Sequence, residues 1–250
     1  MNDSRARWDT AAPHYLRSSW HANEAALEHM VQVSNVLGGN IVDVATGAGH
    51  AAMAFSHSVD RVLALDTSPR MLAIAKEEAA RRGIDNIDYV VGDALDLPFL
   101  RASLDGVVCR VAAHHFGDPE LFMRRSFDVL KPRGFLLLID TVGADDPGAD
   151  DALHTLESLR DPSHVRDYTT AVWRRMARKA GFETEFEDTI QKPLNAKEWM
   201  DRMSVDSGTR NKILELINAS KDWFREYLRP HSKGELLTFH LLECTMLLRK

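Results

Sequence analysis

The chain has 250 residues, 44% hydrophobic and 27% charged, which allows one large α/β domain with an elaboration and is ordinary for a soluble enzyme. Its net charge of −6 supplies no basic face for nucleic acid, and no apolar run approaches the length of a membrane span. Cys109 and Cys244 lie far apart inside apolar runs, which suits buried thiols of a reducing compartment and leaves no zinc spacing. The expectation is a cytoplasmic protein without a metal site.

In chain order, residues 1–37 read as a helical segment, with Leu27, Met30, Val31 and Leu37 at its apolar positions. From residue 41 to about 140, short apolar runs alternate with helical patterns. The runs are IVDVA (41–45), RVLALD (61–66), IDYVVGD (87–93), LDGVVCRV (104–111) and GFLLLID (134–140). Between them, 68–83 opens on a capping serine and a proline and closes on a glycine, and 118–134 repeats that grammar. Strands that are apolar on both faces and alternate with helices imply a parallel sheet covered on both sides. Ligands of such sheets bind at the carboxyl ends of the strands. Residues 183–192 and 236–250 read as later strands, and 195–229 as two helical patterns, a candidate lid. The run RRMARK (174–179) reads as a solvated helix face.

The first strand runs into T-G-A-G (46–49), where Gly47 and Gly49 let a ligand approach the backbone ahead of a helix N-terminus. This turn suits either a nicotinamide dinucleotide or S-adenosylmethionine. Asp66, ending the second strand, can accept both ribose hydroxyls in either case. After the third strand, Gly92 permits close approach, Asp93 can accept from an exocyclic amine and Ala94 can offer its N–H to a ring nitrogen. Asp43, within the first strand, suits an ammonium group, which a dinucleotide does not place there.

These pieces resemble the class I S-adenosylmethionine-dependent methyltransferases, in particular the ubiquinone/menaquinone-biosynthesis type and related small-molecule enzymes. The likeness is carried in order by WDTAAPHY (8–15), VDVATGAGHAA (42–52), ALDTSPRMLAIAK (64–76), VVGDALDLPF (90–99), LDGVVCRVAAHHFGDP (104–119) and VLKPRGFLLLID (129–140). It implies a Rossmann-like α/β fold: seven strands, mostly parallel, a reversed last strand, helices on both faces and a helical cap. The division expected is a cap over 1–37, a core over 38–194 and 230–250, and a helical insertion over 195–229.

By the same resemblance, Asp43, Gly47 and Gly49 surround the methionine part of S-adenosyl-L-methionine, and S-adenosyl-L-homocysteine is the product. Asp66 binds the ribose, with Thr67 and Met71 beside it, and Asp93 and Ala94 read the adenine. Arg110 and Val111 line the sulfonium end, and Tyr15 closes over the cofactor. The departure is Ala45, where the family has the first glycine of its turn. Alanine takes only ordinary φ values without strain, and it is expected to be tolerated because glycines remain at the two later positions. His114 and His115 are the candidate bases for a small-molecule acceptor. The family often carries histidine there across different substrates, which points to a structural or loop-shaping task. His154 and His164 are expected at the surface, as are His14 and His21, and the tryptophans in packing. The competing readings are an NAD(P)-dependent oxidoreductase, which leaves Asp43 and Asp93 unexplained, and a non-catalytic protein of the same fold.

Overall fold

The computed structural model describes residues 23–219, 221–234 and 236–250. An eight-stranded sheet runs in the order β3-β2-β1-β4-β5-β8-β6, with β7 paired to β8. The strands are β1 (Asn40–Val44), β2 (Arg61–Asp66), β3 (Ile87–Val91), β4 (Leu104–Arg110), β5 (Leu130–Thr141), β6 (Glu183–Asn195), β7 (His231–Lys233) and β8 (Leu236–Arg249). β1 to β5 pair in parallel, and β8 runs antiparallel to both β5 and β6. This is the mostly parallel sheet with a reversed last strand that the sequence implied. The strand beyond the expected seven is the three-residue β7, hairpinned onto β8.

The helices are α1 (Glu24–Ser34), α2 (His50–Phe55), α3 (Pro69–Arg81), α4 (Pro119–Val129), α5 (Pro147–Arg160) and α6 (Thr170–Ala180), followed by α7 (Ala196–Asp201), α8 (Ser207–Asn218) and α9 (Asp222–Leu228). Three begin with the same device, a capping side chain followed by proline: Ser68–Pro69, Asp118–Pro119 and Asp146–Pro147. In each, the cap accepts from the N–H three residues on, and proline fills a position whose N–H has no helical partner. The expected helix over 118–134 is shorter: it ends at Val129, and β5 starts at Leu130 with an irregular pairing between Leu104 and Gly106. Arg133, at φ 67°, turns the chain inside that irregularity. The last helical pattern, read as one, is two helices, α8 and α9.

Three apolar clusters hold the layers. One face of the sheet packs against α4 and α6 through Phe122, Met123, Trp173 and Phe182. The other packs against α1, α2 and α3 through Met30, Phe55 and Ala79. The third lies under α5, α7, α8 and α9, where Leu153, Trp199, Ile213 and Phe224 meet Phe239 and Leu241 of β8. The basic side chains of RRMARK stand exposed on α6, as expected. Trp173 and Trp199 are buried packing residues.

Candidate functional site

β1 and β4 are the central strands, and the chain reverses its crossover direction between them. The carboxyl ends of β1, β2 and β4 and the turn after β3 enclose a cavity of about 350 Å³. Asp43 sits at its floor, 1% exposed, with one carboxylate oxygen accepting from Thr46 Oγ1 at 2.5 Å and from the Ala52 N–H at 3.0 Å. Asp43 therefore ties the turn to α2. Burial pushes its carboxyl up to about 7 against those hydrogen bonds and the nearby Arg110.

Ala45 stands at φ 54°, in the left-handed region, so the turn accommodates alanine with backbone strain. The turn keeps the glycine-like path because Thr46 N–H donates to Leu65 O of the neighbouring strand at 3.0 Å. Gly47 and Gly49 also have positive φ, for different reasons. A Cβ on Gly47 would meet nothing within 4 Å, so this residue faces the open cavity. A Cβ on Gly49 would come within 2.8 Å of Ala75 Cβ, so this glycine lets α2 approach α3, and it does not line the cavity.

Asp66 holds the rim with both oxygens. Oδ2 accepts from Gly47 N–H and Oδ1 from Ser68 N–H, each at 2.9 Å. The exposed Thr67 and the buried Met71 line the wall beside it. Across the cavity, Gly92, Asp93 and Ala94 form the opposite lip, where Asp93 Oδ1 accepts from Leu95 N–H at 2.8 Å in a local turn. Arg110 and Val111 close the inner end. Val111 is a β-branched residue at φ 54°, a second strained backbone in the same wall. Tyr15 lies outside the described residues.

The two candidate bases part company. His114 turns away from the cavity toward Asp140 at the end of β5. Its Nδ1 lies 2.5 Å from Asp140 Oδ1, and its backbone N–H donates to Oδ2 at 2.9 Å. Burial works against its charge, but the Asp140 carboxylate outweighs this and pushes His114 up to about 9. His115 does line the cavity, with Nδ1 at 3.1 Å from Ser163 O. Burial and the charge on His114 push it down to about 3, so it is neutral. A neutral ring donating Nδ1–H to that carbonyl leaves Nε2 as an acceptor.

The sequence reading missed Asp140, although it ends an apolar strand as Asp66 does. His164, expected at the surface, is buried with Nε2 3.2 Å from Asp167, and its ring centroid is 5.6 Å from that of His114. His154 is half-buried beside it. Among the described residues, no three His, Cys, Asp or Glu side chains converge as a metal site. Beyond Val111 and His115 lies a second, smaller chamber walled by α5, α7 and β6, also unforeseen.

Residues 42–138 match a methyltransferase domain family. The chain is 34% identical over 206 residues to the uncharacterised methyltransferase YcgJ of Bacillus subtilis, covering 80% of each protein. It is 34% identical over 186 residues to the uncharacterised protein YafE of Escherichia coli, covering 74% of this chain and 90% of that one. Its fold superposes on the YcgJ crystal structure with a TM-score of 0.84 at 28% identity, covering 90% and 98% of the two chains. A Bacillus halodurans protein provisionally assigned as a methyltransferase superposes with a TM-score of 0.87 at 30% identity, covering 90% and 99%. Identity sustained along four fifths of a methyltransferase, on the same fold, decides the kinship, and the chain belongs to the class I S-adenosylmethionine-dependent methyltransferases.

Proposed function

We propose that this methyltransferase holds S-adenosylmethionine along the ends of β1, β2 and β3 and transfers its methyl group to a small-molecule acceptor beside His115. The observation that carries the reading is Asp66, whose two oxygens are fixed by backbone N–H groups at the rim of a ligand-sized cavity. A carboxylate oriented in this way keeps lone pairs for the two ribose hydroxyls and loses little entropy on binding. Asp93 and the Ala94 N–H suit the adenine edge. Asp43, Ala45 and Gly47 surround the methionine end, where the open face of Gly47 leaves room for it. Gly49 contributes indirectly, by seating α2 against α3.

Bound S-adenosylmethionine supplies the electrophilic methyl. The residues at the inner end then align an acceptor and keep water out. Val111 and His115 stand where the cofactor cavity meets the second chamber. Neutral His115, held by Ser163 O, can orient an acceptor hydroxyl or amine by accepting its hydrogen bond as the methyl transfers. His114 serves as a positioning residue: its pairing with Asp140 fixes the 113–115 turn on which His115 sits. Two buried, unbridged thiols, Cys109 and Cys244, support a cytoplasmic setting.

Calorimetry tests this assignment. S-adenosylhomocysteine should bind and NADH should not. Asp66→Asn, which keeps the side chain's shape, should weaken binding by roughly 1.5–3 kcal/mol, the range for hydrogen bonds to a charged group. His115→Ala should leave that affinity unchanged. An Asp66→Asn protein that binds as tightly as the parent would place the ribose elsewhere.

A further inference from the structure

Glycine costs a chain backbone entropy, so it usually answers a local need: a left-handed turn, or a neighbour too close for a Cβ. All but one of the 14 glycines show one of these reasons. The exception is Gly117, an exposed residue that lines the cofactor cavity beside Phe116. Its φ is not left-handed, and among the described residues a Cβ there would meet nothing within 4 Å. Neither the backbone nor the packing asks for glycine at this place. Space for a ligand does.

The wall around it is apolar. Leu95, Ala112 and Phe116 belong to the apolar cluster on that side of the sheet, and the Phe116 ring stands edge-on to buried Phe122 of α4, 5.0 Å between centroids. The charged side chains of the cavity, Asp43, Asp66, Asp93 and Arg110, stand in the part given to the cofactor. Beside Gly117 the polar groups are Ser163 and the neutral ring of His115. A charged group pressed against such a wall would lose water without gaining a counter-ion. The chamber beyond Val111 and His115 is no alternative seat. It measures about 40 Å³, room for little more than water, and the charged Glu157, Arg160, Asp167, Lys192 and Arg202 wall it.

We propose that the face formed by Leu95, Ala112, Phe116 and Gly117 seats the methyl acceptor, that the seated body is apolar and uncharged, and that Gly117 sets how large it can be. The proposal rests on the methyl-transfer assignment, because it takes His115 as the place where the acceptor's nucleophilic O–H or N–H points. A cofactor along the strand ends takes up most of the cavity's volume of about 350 Å³. The acceptor's body therefore runs toward solvent, across the open side of Gly117.

The test uses the intact protein saturated with S-adenosylhomocysteine, and three probes of similar shape: 4-methylphenol, 4-methylbenzoate and 4-methylbenzylamine, the last a cation at neutral pH. Binding is followed by protein-observed NMR titration. The phenol should bind about tenfold more tightly than either ion, a difference of about 1.4 kcal/mol, with shifts centred on the Phe116 and Gly117 amides. Gly117→Leu should weaken the phenol by about tenfold or more and leave S-adenosylhomocysteine affinity unchanged. Gly117→Ala should weaken it less. An ion that binds as tightly as the phenol, no phenol binding at millimolar concentration, shifts centred elsewhere, or a Gly117→Leu protein with the parent's phenol affinity would each overturn the proposal. A folded Gly117→Leu protein that loses S-adenosylhomocysteine would also overturn it, by giving this face to the cofactor. Its melting transition shows that it is folded, and the parent's ranking needs no variant. Cofactor affinity is measured first, so failure of the cofactor assignment is seen separately.

Discussion

Ala45 shows what one methyl group does at the first position of the turn that follows β1. Its φ of 54° is a conformation in which alanine is strained by roughly 1–2 kcal/mol and glycine is not. The strain is retained because the turn is held on both sides, by Thr46 N–H on Leu65 O and by Thr46 Oγ1 on Asp43. Ala45→Gly should therefore stabilise the protein. Glycine's extra freedom in the unfolded chain takes back part of the gain, leaving about 0.5–1 kcal/mol. That corresponds to a melting temperature higher by about 2–3 °C. An unchanged or lower melting temperature would mean the turn relaxes around alanine at no cost. Val111 carries the same strain on the neighbouring strand end, and both residues line one cavity. Strain of this kind gathers where a fixed backbone serves a ligand.

At the scale of elements, the His114–Asp140 pair joins the short turn after β4 to the end of β5 and, through the His114 carbonyl, to Val165 N–H and Arg166 N–H. The folded His114 value of about 9 lies above its ordinary 6.5. Its contribution is thus complete below pH 6.5 and is lost as pH rises through about 9. Two other groups bound the useful window. Asp43, pushed up to about 7 by burial, lowers stability only until pH 7. Lys192, pushed down to about 8 by burial, favours the fold only as pH rises above 8. Between pH 7 and 8 the loss belongs to His114. Stability should fall by about 1 kcal/mol across that unit, and His114→Gln should abolish the slope. Thermal melts of both proteins at the two pH values decide it. A variant with the parent's slope would put the titrating group elsewhere.

Over the whole molecule, the parallel half was the readable half. Its strands are apolar on both faces, its helices begin with Ser–Pro or Asp–Pro caps, and its acids follow strands at regular places. Asp43, Asp66 and Asp93 reach one cavity because parallel strands deliver their carboxyl ends to one edge of the sheet. The second chamber was not readable. Lys192 and Glu243 look like stray charges in separate strands until the antiparallel pairing of β6 with β8 brings them together. Arg160 and Arg202 lie 42 positions apart on elements with no shared pattern. Gly49 was legible as a motif glycine, but its packing against Ala75, which leaves no room for a Cβ, was not.

The same long strands make a claim about how the molecule melts. The helices α5 and α7 to α9 have a core of their own, and such a unit could unfold separately. Yet β8 threads both cores, with Phe239 and Leu241 under those helices and Met246 and Leu248 in the main sheet. β6 pairs with β8 along that whole length, from Glu183↔Arg249 to Asn195↔Thr238. Opening one core would strip the ladder that completes the other. Calorimetric unfolding should therefore show one transition, with tryptophan fluorescence and far-ultraviolet dichroism coincident. Trp199 reports the inserted helices and Trp173 the main sheet. S-adenosylhomocysteine, which the proposed function puts at the strand ends alone, should shift that single transition as a unit. At a hundredfold excess over its dissociation constant the gain is about 2.7 kcal/mol. That is an upward shift of about 5–10 °C for a chain of this size. A second transition that ignores the ligand would show that α5 and α7 to α9 fold on their own around their apolar cluster.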